Sequence, residues 1–255
     1  MDTKFNVDGD RMKTGFLFMT CALLLAGCTG IPETPHNFNA KTIETENLSF
    51  YTLEKDNIQA GKPLRFYIEG DGNPNPSTPV ALKLAERDEH KNIIYLTRPC
   101  QYIENDLCQN KEIYTTARFH REIVKEMQEL SLYYIKKYQA PKIEFIGYDG
   151  GGTLAMLLGA RIPITSNIIT IAGMLNTNTQ KNMHEETINP FEQKDLTAHI
   201  PQVHYVGGLD TEAPRRTAER FVGRLKNPRS AAVKVVPGQT HKGWENISFS
   251  FLKDE

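Results

Sequence analysis

The sequence predicts an α/β protein: a mostly parallel sheet with helices on both faces. Two observations carry that expectation. Short runs rich in β-branched and aromatic residues alternate along the chain with longer segments of helical apolar spacing. Such alternation is what crossover-connected parallel strands require. In addition, the run Gly147-Tyr148-Asp149-Gly150-Gly151-Gly152 follows an apolar strand and opens a helix of small residues, marking a tight strand-to-helix turn in mid-chain.

Taken in order, the elements begin after an N-terminal address. Met12 and Lys13, an apolar run from Phe16 to Ala26, and Leu25-Ala26-Gly27-Cys28 form a positive start, a hydrophobic core and a small-residue processing site. This resembles a bacterial lipoprotein signal peptide. The resemblance implies removal of residues 1–27, acylation of Cys28 and insertion of its lipid into the bilayer. Thr29 is not the aspartate that retains lipoproteins at the inner membrane, so an outer-membrane anchor facing the periplasm is expected. The acidic stretch 2–10 is unlike a signal's start, which makes Met12 the expected first residue. The apolar run is well short of the roughly 20 residues a transmembrane helix needs.

Residues 28–41, rich in Pro, Asn and Thr, read as a tether, and 42–255 as one domain. About 225 residues after processing suit a single core. Strands are expected at 48–53, 64–68, 93–97, 142–146, 168–172, 202–206 and 232–236. Helices are expected at 79–90, 117–138, 151–160, 214–225 and 242–252. In the longest, Ile123, Met127, Leu130, Tyr134 and Ile135 share one side, a core stripe. With 30 Lys and Arg against 31 Asp and Glu, the net charge of −1 offers no basic field, and nucleic acid is not an expected partner.

Of four cysteines, Cys21 falls in the discarded segment and Cys28 carries lipid, leaving Cys100 and Cys108 to pair in an oxidising compartment. Two cysteines make no zinc site, and His184-Glu185 lacks a second histidine. Asp71, Asn73 and Asn75 superficially suggest a calcium loop, but Pro76 and Leu82 stand where glycine and glutamate are required. No metal and no cofactor are expected.

The functional signal is the glycine-flanked turn. A nucleophile elbow needs glycine on both sides of a residue held on a strained turn, with free helical N–H groups behind it. Gly147 and Gly151 satisfy this, but the residue presented is Asp149 instead of serine. A glycine-rich βα turn of another α/β fold is the plain alternative. Later strands supply Asp210, in Gly207-Gly208-Leu209-Asp210, and His241, after Pro237-Gly238-Gln239-Thr240. An aspartate after a strand also commonly caps the next turn. His36, His90, His120, His184, His199 and His204 have no comparable placement.

The order of elbow, acid and histidine makes the chain resemble the α/β-hydrolases from about Leu48 onward. That resemblance implies an α/β-hydrolase fold, catalytic roles for Asp149, Asp210 and His241, and an oxyanion hole at Asp71, Gly72 and Gly150. Only 174–199 leaves room for a cap, so a small cap or none is expected.

Aspartate is already a nucleophile at neutral pH and, attacking an electrophilic carbon, gives an ester that histidine-activated water can hydrolyse. In this fold that resembles haloalkane dehalogenases and epoxide hydrolases, whose substantial cap is missing here. Attack on a carboxylic ester would instead give a mixed anhydride, and Ser77, Ser131, Ser166 and Thr153 are not placed to replace Asp149. A hydrolase of unnamed small-molecule substrate is thus expected. Its alternatives are a non-catalytic lipoprotein binding a ligand or partner in the cleft, and a structural envelope lipoprotein.

Overall fold

The computed structural model describes residues 31–72, 74–103 and 105–253. The expected signal, 1–27, and Cys28 lie outside them. Eight strands form one sheet in the order β1-β2-β4-β3-β5-β6-β7-β8. They are β1 Phe38–Glu44, β2 Ser49–Lys55, β3 Leu64–Ile68, β4 Ile93–Leu96, β5 Ile143–Tyr148, β6 Thr165–Ile171, β7 Gln202–Gly207 and β8 Ala231–Val236. β2 is antiparallel to both β1 and β4, and every pairing from β4 through β8 is parallel.

Among the described residues four α-helices complete the frame: α1 Val80–Arg87, α2 Arg121–Tyr138, α3 Gly150–Gly159 and α4 Arg215–Val222. Side-chain alternation sorts the core into two layers. Phe66 and Ile68 of β3, Ile94 and Leu96 of β4 and Phe145 of β5 face a layer built from α2, α3 and α4. Tyr67, Tyr95 and Ile146 point the other way, against α1 and a C-terminal layer of Trp244, Phe249 and Leu252. Covering on both faces is why the central strands read as nearly continuous apolar runs. All ten residues of α3 are buried, so it carries no polar face and sits directly beneath the turn that precedes it.

Three expectations change. The chain joins the sheet at Phe38, so the last residues of the expected tether, from Phe38 to Lys41, are strand. α2 starts at Arg121, where His120 Nδ1 accepts the Glu122 N–H and caps it; a 3-10 turn at Lys111–Tyr114 precedes it. The terminal segment 242–252 is not an α-helix but two 3-10 turns, Trp244–Asn246 and Ser250–Leu252. Its carbonyls are engaged elsewhere: Arg87 donates to Glu245 and Ile247, Arg65 to Phe251, and the Glu89 N–H to Leu252. These contacts fasten the segment to α1, β3 and the chain after α1, in a path that lets Trp244 and Phe249 stack with centroids 6.2 Å apart.

Candidate active site

The elbow is built by backbone crowding. Asp149 has φ 50° and ψ −120°, a conformation unfavourable for any residue with a Cβ. It is held there by its N–H donating to Ile171 and by its carbonyl accepting from Gly152 and Thr153, at 2.9 and 3.3 Å. A Cβ on Gly147 would strike the Gly151 carbonyl, and one on Gly151 would strike the carbonyls that end β3, so the flanking glycines are sterically required.

The side chain of Asp149 lies between two partners. One oxygen is 3.3 Å from His241 Nε2; the other accepts the backbone N–H of Asp71 at 3.0 Å. On the far side of the imidazole, Nδ1 is 3.0 Å from Asp210 Oδ2. Asp210 Oδ1 accepts the N–H groups of Glu212 and Ala213, both at 2.9 Å, so this aspartate caps its turn and orients the histidine at once. Tyr148 Oη donates to the His241 carbonyl at 2.9 Å, fixing the loop after β8 against the elbow. Residues from three distant stretches of chain thus meet at the C-terminal ends of β5, β7 and β8, where open α/β sheets place their ligands.

Electrostatics follow from that sandwich. Burial disfavours a charged His241, but hydrogen bonds and charge from Asp149 and Asp210 outweigh it and push its pKa up to about 10. For Asp210 the order repeats: burial raises, yet the His241 bond and two backbone N–H groups bring the carboxyl below its usual range. Asp149 and His241 line a cleft of about 310 Å³ together with Asp71, Tyr148, Glu212 and the 76–80 segment, while Asp210 is buried behind the imidazole. A larger concavity of about 630 Å³ lies alongside and contains neither Asp149 nor His241.

Among the expected oxyanion-hole residues, Asp71 has its N–H aimed at Asp149, and Gly150 starts α3 with an N–H that has no partner within the helix. At Gly72 a Cβ would collide with the backbone of residues 74–76, so the turn requires glycine there. Behind the loop, Glu69 is fully buried and accepts the N–H groups of Gly70, Ala81 and Leu82 and the Tyr95 hydroxyl. Burial raises its carboxyl to about 7 against those four bonds.

Two arginines escape sequence reasoning. Arg98 Nη1 and Arg118 Nε both contact the Asp71 carboxylate, the latter at 3.0 Å, and both guanidinium groups lie over Phe119. Burial and the neighbouring Arg118 charge lower Arg98 to about 9, with the charges of Asp149 and Glu69 opposing. Arg98 lies two residues past the end of β4, the one signal that could have nominated it; Arg118 sits in an irregular stretch with none.

Cys100 and Cys108 are bonded as expected. Gln101, inside that loop, accepts the Arg98 N–H and donates to the Gly70 carbonyl, both at 2.9 Å. His204 is a core residue, hydrogen-bonded to Thr170 and driven by burial down to about 3. Three carboxylates, Glu46, Glu126 and Glu129, also converge outside this cleft, where Thr45, Asn47 and Lys125 engage them.

No protein-family model matches the chain, and no curated protein matches it by sequence. Solved structures do match in shape. A putative alpha/beta hydrolase from Agrobacterium tumefaciens superposes with a TM-score of 0.58 at 13% identity, over 82% of this chain and 88% of its own. A serine hydrolase without lid from Xanthomonas campestris gives 0.56 at 9% identity, over 83% and 88%. A dienelactone hydrolase from Anabaena variabilis gives 0.57 at 15%, over 81% and 89%.

The fold is that of the α/β-hydrolases. Within it, residues 174–199 form irregular chain with 3-10 turns at Thr177–Thr179 and Lys194–Leu196 and contain no α-helix.

Proposed function

We propose that the protein is a hydrolase in which Asp149 is the nucleophile, Asp210 orients His241, and His241 activates water. The observation that carries this reading is the division of the Asp149 carboxylate between His241 Nε2 and the Asp71 N–H. Attack by the His241-side oxygen on a carbon bearing a leaving group forms a C–O bond as the leaving group departs with its electron pair. The product is a neutral ester whose carbonyl oxygen is the one already held by Asp71. Alkylation removes a negative charge from beside His241, and with it a cause of the raised imidazole pKa, so the imidazolium proton leaves with the departing anion as HX and the neutral base needed next becomes available. Water gives its proton to His241 and adds to the ester carbon. Negative charge then develops at the oxygen facing the Asp71 and Gly150 N–H groups. Collapse expels the alcohol, which takes the proton back, and regenerates Asp149. Net chemistry is R–X plus water to R–OH plus HX, the opened epoxide behaving as its own leaving group.

A second reading has its own support. In the resting site a charged His241 sits between two carboxylates, a closed ion triad that also suits a non-catalytic binding cleft. Trapping decides between them. In His241→Gln the second half-reaction stops, so incubation with 1-bromohexane or a terminal epoxide is expected to leave a stable mass increase on the Asp149 peptide. Absence of any adduct, with no turnover by the unaltered protein, overturns the hydrolase reading.

The site is further proposed to work at a membrane surface, tethered by lipid on Cys28 in the periplasmic face of the outer membrane. What supports this is the signal-like sequence alone. No helix among the described residues is long and apolar enough to cross a bilayer.

A further inference from the structure

The larger concavity beside the catalytic cleft has a distinct chemistry. Its walls are the 174–199 segment and α4, and its lining is mostly polar: Asn176, Thr179, Gln180, Thr217, Arg216 and Arg220. Phe191 and Pro214 are its apolar members. Small-molecule sites are usually lined mainly by apolar groups, so such a wall suits a hydrophilic ligand. Arg216 and Arg220 are one helical turn apart and share a face of α4. On the neighbouring face Arg215 is neutralised by Glu219 at 2.6 Å, whereas neither Arg216 nor Arg220 has a carboxylate partner among the described residues. Residues 213–229 add Arg224, Arg229 and Lys226, the last paired with Asp195 at 3.7 Å, and have Glu219 as their one acid, in a chain whose net charge is −1. Glu212 lines this concavity and the Asp149 cleft alike, so the two are adjoining compartments on either side of one side chain.

We propose that this concavity is a substrate subsite in which Arg216 and Arg220 hold an anionic oxygen group, a carboxylate or phosphate, while the reactive carbon lies at Asp149. Paired guanidinium forks match the geometry of either oxyanion. The Glu212 carboxylate between the compartments disfavours a second anion near the reacting end, which gives the substrate a polarity: charged tail in the concavity, uncharged electrophile in the cleft. This assignment rests on the nucleophile reading above for its second half only.

Calorimetry with the full-length chain tests binding independently of turnover. Adipate or glycerol 3-phosphate is expected to bind at least about tenfold more tightly than the uncharged adipamide. The Arg216→Gln/Arg220→Gln double variant should lose that preference, and Arg215→Gln/Arg229→Gln, outside the concavity, should keep it. Equal binding of charged and uncharged probes, survival in the first variant, or equal loss in both overturns the subsite. Labelling then tests the connection: 6-bromohexanoate should alkylate Asp149 of His241→Gln faster than 1-bromohexane, and equal rates overturn the shared-substrate assignment. If neither bromide labels, the nucleophile reading fails, and calorimetry still decides the subsite.

Discussion

Exchanging Asp149 for serine replaces a carboxylate that has both oxygens engaged with a single hydroxyl on the same elbow. If Asp210, His241 and the Asp71 N–H are working parts, Asp149→Ser should acquire nitrophenyl-ester hydrolysis, because an acyl-serine avoids the mixed anhydride. A colorimetric assay checks it, and silence in a folded variant counts against the site. The same substitution should change how stability depends on pH. His241 has a folded pKa raised from an ordinary value near 6.5 to about 10, so its contribution is fully present below about 6.5 and is lost as pH rises through 10. Asp210, held low, contributes above its unfolded pKa and is lost as pH falls through the folded one. Thermal unfolding between pH 6 and 10 should therefore show a falling Tm for the unaltered protein and a flatter profile for His241→Gln or Asp149→Ser. At this scale the sequence was informative where chain order matters, since elbow, acid and histidine are each placed by a strand end. It was silent on Arg98 and Arg118, whose meeting at Asp71 depends on folding two separate segments over Phe119.

Among the elements, the loop after β3 depends most on its neighbours. Gln101 ties the Gly70 carbonyl to the Arg98 N–H, and the Tyr102 N–H donates to Asn75 at 2.7 Å, so the disulfide-closed segment braces both ends of the turn presenting the Asp71 N–H. Opening Cys100–Cys108 by Cys100→Ser/Cys108→Ser should lower stability by about 2 to 3 kcal/mol, the loop-closure value for so short a ring. The rate of Asp149 alkylation need change little, while release of the adduct, which uses that N–H, should slow. Gln101→Ala with the disulfide intact should reproduce the slow release, and full-rate release in both variants would show that the brace is not needed. The boundaries of β3 coincide with expectation because Leu64, Phe66, Tyr67 and Ile68 form a short apolar and aromatic run, broken only by Arg65, between Pro63 and Glu69-Gly70. β1 was hidden for the opposite reason: an edge strand exposing Asn39, Ala40, Lys41 and Thr42 carries no apolar period, and only its pairing with β2 makes it strand. The terminal segment has a helical pattern, but its course is set by contacts with Arg65 and Arg87 that local sequence does not show.

For the whole molecule, the alternation of strands and helices sufficed to anticipate a sheet covered on both faces, whereas the contents of the cleft depend on loops that alternation does not constrain. The start of β1 also bears on how the domain would sit at a membrane. With Phe38 already in the sheet, the ten residues from Cys28 can span at most about 35 Å even fully extended, so a lipid on Cys28 would hold the domain within roughly its own diameter of the bilayer. A single acyl chain binds membranes only marginally, so stable retention requires the multiple chains of a lipoprotein cysteine. Expressed with its signal in a Gram-negative host, the protein should fractionate with outer membranes, and Cys28→Ala should release it in soluble, folded form with unchanged Asp149 alkylation. Retention of Cys28→Ala on membranes would defeat the anchor, and altered alkylation in the released protein would show that tethering also shapes the cleft.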